Sequence, residues 1–312
     1  MKLFSEAKST LVKIIVIYAS LKLLFLTGWV SPYIQQIIIY ATIVMIAAQG
    51  LNVIYGYTGQ FSLGHAAFYG IGGYVSAFIT KSLSIDGSLY FIPIVIISGL
   101  VSGACACLIG IPILRLKEDF LAIATLGFGT LVRVLLDNSD RVIEVLGGSR
   151  GFSGIPKLTT LEISFFFATV LHIMTRNLVS SSYGLFLKSI KEDELASLSL
   201  GINTPRMKLL AFTYGCFLAG CGGALYANLY CFLHPSNFDI LRSIDFLMIV
   251  IIGGMGSING TVYVSLLWVG FIEGLRIILP DEVLELRWVF IPIFLILIMM
   301  FRPQGILGKK YG

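Results

Sequence analysis

The sequence predicts an all-α, polytopic integral membrane protein with about 8–10 transmembrane helices and a short cytoplasmic helix. Three observations carry this. Hydrophobic residues make up 57% of the chain, charged residues only 12%, and mean hydropathy is +0.91. A soluble domain carries about 25% charged residues, so lipid is the better solvent for this composition. Apolar runs near the roughly 20 residues that span a bilayer recur along the whole chain. Neither a long linker nor a low-complexity tract divides them, so residues 1–312 read as a single membrane domain.

In chain order, the runs place spans near 11–28, 33–54, 66–80, 90–114, 119–136, 161–176, 206–230, 244–256, 258–279 and 287–301. The first has the outline of a signal sequence, but Lys13 and Lys22 interrupt it and no small-x-small cleavage site precedes Trp29 and Pro32, so it reads as a retained helix. The spans at 66–80 and 244–256 are short and glycine-rich, the pattern of broken or re-entrant helices. Lys and Arg near span ends favour the cytoplasm. Lys2, Lys8, Arg115, Lys117, the stretch from Arg176 to Lys208, Arg302, Lys309 and Lys310 then all face inward, with both termini cytoplasmic. The opposite loops carry Asp137, Asp140, Glu144, Asp281, Glu282 and Glu285. The net charge of +5 is spread over short loops and forms no basic run, which argues against nucleic-acid binding.

The segment 184–205, GLFLKSIKEDELASLSLGINTP, is the least apolar stretch of its size on the predicted cytoplasmic side. Ser189 and Glu192 have the spacing of a capping box. Glu192, Asp193 and Glu194 then favour the positive end of a helix dipole, and Gly201 is placed to end that helix at C′. Thr204 with Pro205 reads as the start of the next helix. The expectation is a separately capped cytoplasmic helix at 189–200; on local signals alone an ordinary surface helix fits equally well.

Two glycine clusters interrupt the apolar pattern. In the first, Gly59, Gly64, Gly70, Gly72 and Gly73 surround Gln60, Ser62 and His65. In the second, Gly253, Gly254, Gly256 and Gly260 surround Ser257 and Asn259. Small residues let lipid-embedded helices pack closely, and interrupted segments in opposite halves of a chain point to a midplane path or a repeat interface. Tight packing with interhelical hydrogen bonds is the default role of each such residue. Ionisable groups inside spans are costly and tend to be functional; Asp245, Glu273, Arg276 and Arg133 qualify. Glu273 and Arg276 lie three apart on one helix face and are expected to pair, while Asp245 and Arg133 can reach the interface by snorkelling. His65 has no second ligand at metal spacing. Cys105, Cys107, Cys216, Cys221 and Cys231 show no zinc or redox pattern and read as small apolar groups.

Several segments carry a resemblance. The run EDELASLSLGIN resembles the cytoplasmic coupling loop of ABC importer permeases, with Glu194, Ala196 and Gly201 at its E-x-A and glycine places and Leu195 where the commonest form has alanine. GYTGQFSLGHAAFYGIGGY at 56–74 resembles the segment that marks branched-chain amino acid permeases. FLAIATLGFGTLVR at 120–133, GINTPRMKLLAF at 201–212, LAGCGGALYA at 218–227, the stretch 251–276 and FRPQGILG at 301–308 agree in the same order. Within that family the chain looks most like the longer of two paired permease subunits.

The resemblance implies a non-enzymatic permease for leucine, isoleucine and valine in a bacterial-type inner membrane. It implies a second related permease, two ABC ATP-binding subunits and an extracytoplasmic solute-binding protein as partners, with no cofactor held by the chain itself. Coupling is expected at Ser189, Glu192, Asp193, Glu194, Ala196 and Gly201. A translocation path or helix packing is expected at Gly59, Gln60, Ser62, Gly64, His65, Gly253, Gly254, Gly256 and Ser257. No G-x-x-x-x-G-K-[ST] phosphate loop occurs, so ATP hydrolysis falls to partner subunits. Urea, short amides or other amino acids are the alternative solutes. An ion-coupled secondary transporter would show functional acids mid-span, and an intramembrane enzyme would show H-E-x-x-H or paired aspartates. A scaffold protein is disfavoured by the resemblance alone.

Overall fold

The computed structural model describes residues 19–25, 30–85, 87–116, 118–278, 293, 296–297, 299–302 and 304–308. Most of the predicted spans 11–28 and 287–301 lies outside the described residues, as do Lys2, Lys8, Lys117, Asp281, Glu282, Glu285, Lys309 and Lys310. Ten helices are traced between residues 32 and 278, and six of the described helices are long and apolar enough to cross a bilayer.

The helix α1 spans Pro32–Leu51, starting at Ser31, whose hydroxyl accepts from the Ile34 amide, with proline at N1 where its missing N–H costs nothing. It continues without a break into a π-helical segment, Asn52–Tyr57. Next come α2 (His65–Ser82), α3 (Ser88–Ile113) and α4 (Glu118–Asp137). Beyond a loop of 3₁₀ turns lie α5 (Leu161–Ser180), α6 (Ser182–Glu192) and α7 (Glu194–Ser199). Then follow α8 (Thr204–Tyr230), α9 (Ile240–Gly253) and α10 (Ile258–Ile278). A two-residue antiparallel pairing of β1 (Phe152–Ser153) with β2 (Phe232–Leu233) joins two loops at one end of the bundle. Lys81 donates to the Ser153 carbonyl there and lies over the Phe152 ring.

The centre of the bundle is α8, packed against α1, α2 and α3. Glycines set these spacings. A Cβ on Gly223 would strike the Tyr69 carbonyl, one on Gly72 would strike the Gly220 backbone, and Gly50 and Gly215 face each other's carbonyls. Without water to drive helices together, such backbone approach and interhelical hydrogen bonds do the work. Ser102 of α3 donates to both the Phe68 and Cys216 carbonyls, and Asn228 of α8 donates to the Ser76 hydroxyl of α2. All five cysteines are free, with Cys216 and Cys221 buried.

The span at 66–80 is one continuous, unbroken 18-residue helix, its glycine-rich face packed against α8 and α3. The span at 244–256 starts four residues earlier than expected, at Ile240, with Asp239 as its cap. Its 14 residues rise only about 21 Å, short of the roughly 30 Å hydrocarbon core. This helix is interrupted, ending at Gly254 with φ +100.

Candidate functional site

Residues 184–205 hold two helices where one was expected. The capping box does not form: Ser189 lies inside α6 and its hydroxyl donates back to the Phe186 carbonyl (2.9 Å), while Glu192 is the last residue of α6. The break falls at Asp193, in extended geometry (φ −157, ψ 112), whose Oδ1 accepts the Ala196 amide at 3.0 Å. A carboxylate leaving the helix satisfies an orphan amide directly, whereas a mid-helix serine does better by bonding to its own previous turn. Gly201 stands at C′ with φ +83. Ile202 N bonds Ser197 O and Gly201 N bonds Leu198 O, the two bonds of a Schellman motif. Asn203, not Thr204, caps α8 through the Arg206 amide, leaving the Thr204 hydroxyl to donate to Glu194.

Two side chains tie this pair of helices to the bundle. Glu194 accepts from Thr204 (3.2 Å) and pairs with Lys208 (2.6 Å), fastening α7 to the start of α8. Lys191 reaches from α6 to the Gly56 carbonyl at 2.9 Å, inside the π segment. Burial lowers the Lys191 pKa, with Glu192 opposing the shift. On the outer side, α7 presents Leu195 (76% exposed) and its C-cap Leu200, while Leu198 borders the cavity between α7 and the bundle.

The first glycine segment joins the same end of the molecule. Gly59 (φ +75) turns the chain, and Gln60 and Ser62 follow it into burial, with neither the Gln60 side-chain amide nor the Ser62 hydroxyl partnered among the described residues. Gln60 lines a cavity of about 570 Å³ with Arg115, Leu121, Glu194, Arg206 and Lys208. Gly64 packs on the Thr125 carbonyl. His65 is fully buried and its Nε2 lies 2.9 Å from the Ala47 carbonyl. A carbonyl only accepts, so the proton sits on Nε2. His65 thus holds α2 to α1. No grouping of three or more His, Cys, Asp or Glu suited to a metal occurs among the described residues.

The second glycine segment docks on the first. Asn52, buried in α1's π segment, donates to the Ser257 carbonyl (3.1 Å) and the Thr261 hydroxyl (2.8 Å), and accepts the Gly256 amide (3.0 Å). A Cβ on Gly56 would meet Gly256 N at 2.6 Å. Gly253 packs against the Gly260 backbone, and the Ser257 hydroxyl accepts the Gly260 amide at 3.1 Å. The segment 304–308 closes the junction, with Ile306 N on Ile252 O (2.8 Å) and Gly254 against Gly308. The π segment, the α9–α10 turn, the C-terminal segment and α6 therefore converge on one node. Asn52 and Lys191 are functional candidates that sequence reasoning passed over; an amide in the middle of an apolar span was the available signal for the first.

Ion pairs gather at the other end. Glu273 and Arg276 pair at 3.8 Å as their spacing predicts, and Tyr33 donates to Glu273 at 2.8 Å. Arg133 pairs with Asp137 and Asp239, and Asp245 pairs with Arg242 at 3.4 Å. Arg242, absent from the sequence-derived candidates, stacks against Tyr40, Tyr226 and Phe246.

A family model described as "Branched-chain amino acid transport system / permease component" matches residues 33–300. The high-affinity branched-chain amino acid transport system permease protein LivM of Salmonella typhimurium is 34% identical over 299 residues, covering 85% of this chain and 68% of that protein. LivM of Escherichia coli matches to the same extent. LivH of Salmonella typhimurium, of the same printed description, is 26% identical over 286 residues, covering 84% of this chain and 90% of LivH. No solved structure matches the chain. With the model spanning most of the sequence and a relative above 30% identity, the chain belongs to the branched-chain amino acid transport system permease family.

Proposed function

We propose that this chain is the membrane-spanning subunit of an ATP-driven importer for leucine, isoleucine and valine. It works beside a second related permease, two ATP-binding subunits and an extracytoplasmic solute-binding protein, in an inner membrane with both termini cytoplasmic. The names of its relatives support the solute, and the similarity to both LivM and LivH supports a paired permease. The lack of a phosphate loop supports a separate motor.

The observation that carries the reading is the direct bond from Lys191 on α6 to the Gly56 carbonyl, next to a helix, α7, that turns leucines into solvent. An ATP-binding subunit covers those leucines. When the motors close, α6–α7 shifts as a unit, Lys191 pulls on the π segment, and Asn52 passes the displacement to the α9–α10 turn. A π-helical turn is a common place for such give in a helix. The solute then crosses by alternation between two conformations, without chemistry on it.

The test is uptake of labelled leucine, isoleucine and valine into vesicles holding this chain with its neighbouring permease, ATP-binding and binding-protein subunits. ATP-dependent accumulation that disappears in Leu195→Asp, with the complex still in the membrane, is the expected result. Uptake that needs no ATP-binding subunit, or that never includes a branched-chain amino acid, contradicts the proposal.

A further inference from the structure

At the end of the molecule away from α6–α7, helices α1, α8, α9 and α10 line a half-open cavity of about 430 Å³. The rise of the 27-residue α8 separates its ends by about 40 Å; Thr204 bonds α7 while Tyr226 and Tyr230 line this cavity. Its size lies within the about 300–1,000 Å³ of small-molecule sites.

Three kinds of surface meet there. The first is a pair of ion pairs, Arg242–Asp245 at 3.4 Å and Arg276–Glu273 at 3.8 Å. Both are longer than the roughly 2.7–2.9 Å of a tight charge-assisted hydrogen bond, and Glu273 also accepts from Tyr33 at 2.8 Å. The second is an aromatic wall: the Arg242 guanidinium lies 5.5 Å from the Tyr40 ring and 5.9 Å from Tyr226. Trp268 belongs to this wall, is 3% exposed, and its Nε1 has no hydrogen-bond partner among the described residues. A buried donor without an acceptor calls for an explanation. The third is aliphatic, formed by Val44, Val269 and Ile272.

The charges select among ligands. Two arginines and two carboxylates sum to zero, with Arg276 exposed and the other three shielded, so a lone anion or cation entering between them would leave a charge uncompensated. A neutral amide would have to compete with both ion pairs. A zwitterion offers each side its complement at once and leaves the balance unchanged. We propose that this cavity is a binding site for an aliphatic α-amino acid, with Arg242 receiving the carboxylate, Glu273 the ammonium group, and Val44, Val269 and Ile272 the side chain. The site deepens the importer reading and rests on it for the identity of the solute, though its chemistry is tested separately. An arginine backed by aromatic faces is held in place for bidentate recognition of a carboxylate.

Saturation-transfer NMR on the full chain in lipid nanodiscs detects such binding even when it is weak. The probes are L-leucine, 4-methylpentanoate, which lacks the ammonium group, and isoamylamine, which lacks the carboxylate. Leucine is expected to bind about tenfold or more tightly than either, the scale of one lost charge-assisted hydrogen bond. Arg242→Gln abolishes that preference. Leu241→Trp, which narrows the cavity from a half-exposed position without touching an ion pair, weakens leucine binding at an unchanged melting temperature. No leucine signal, equal signals for the three probes, or leucine binding unchanged in Leu241→Trp overturns the site. ATP-driven leucine uptake in the vesicle assay with leucine binding unaffected by Leu241→Trp sinks the site and leaves the importer reading standing. Zwitterion-selective binding without any such uptake supports the site and sinks that reading.

Discussion

The α2–α8 contact and the α6–α7 pair are held by opposite means. Between α2 and α8 the backbones touch, with Gly72 on Gly220 and Gly223 on the Tyr69 carbonyl, so at these points there is no side chain to yield. The α6–α7 pair is fastened by a few side-chain bonds, chiefly Lys191 to Gly56 and Glu194 to Thr204 and Lys208, and its outer leucines are bare. The first arrangement resists relative movement because close-packed interiors are not continuously deformable. The second can shift as a body while its few ties transmit the shift. Substitutions in the core should therefore act on stability, and substitutions at the ties on coupling.

The sharpest break of this contrast is Gly223→Leu. Its new side chain has nowhere to go but into the Tyr69 backbone, so a loss near 3 kcal/mol, about the top of the range for overpacking, is expected. It would be read as lost folded yield in detergent. Asn52→Ala comes next, at about 2 kcal/mol, because three hydrogen bonds to the α9–α10 turn and the start of α10 go and the half-buried Gly256 amide loses its acceptor. Thermal unfolding should show this as a lower midpoint. Gly201→Ala costs about 1 kcal/mol, from left-handed backbone alone, since an added Cβ there meets nothing within 4 Å. The smallest effect is Gly127→Ala on α4, where open space and ordinary helical backbone predict a gain of up to about 1 kcal/mol, visible as a slightly raised midpoint.

Much of this architecture is legible in the sequence because the bilayer dictates run length. The apolar runs at 90–114 and 119–136 become Ser88–Ile113 and Glu118–Asp137 with shifts of one or two residues. Gly201 at C′ follows from the same local logic, since only glycine takes that backbone freely. What stays hidden depends on choices that sequence leaves degenerate or on distant contacts. Ser189 and Asp193 are both competent caps four residues apart, and it is Asp193 that leaves the helix. The bonds of Asn52 reach residues 204 to 209 positions away, beyond any periodicity. Arg242 escaped notice because it lies just before a run read as starting at 244, and only the observed start at Ile240 brings it inside a helix.

The claim on which the account turns is that α6–α7 moves the membrane core through Lys191. The direct measurement compares ATP hydrolysis with leucine uptake in vesicles holding the assembled complex, wild type against Lys191→Met. This change keeps an unbranched apolar stem, one atom shorter, but removes the bond to Gly56. The account predicts ATP hydrolysis close to wild type with leucine uptake reduced about tenfold, the scale of roughly 1.4 kcal/mol of lost coupling. Uptake that keeps pace with hydrolysis in the variant would contradict it.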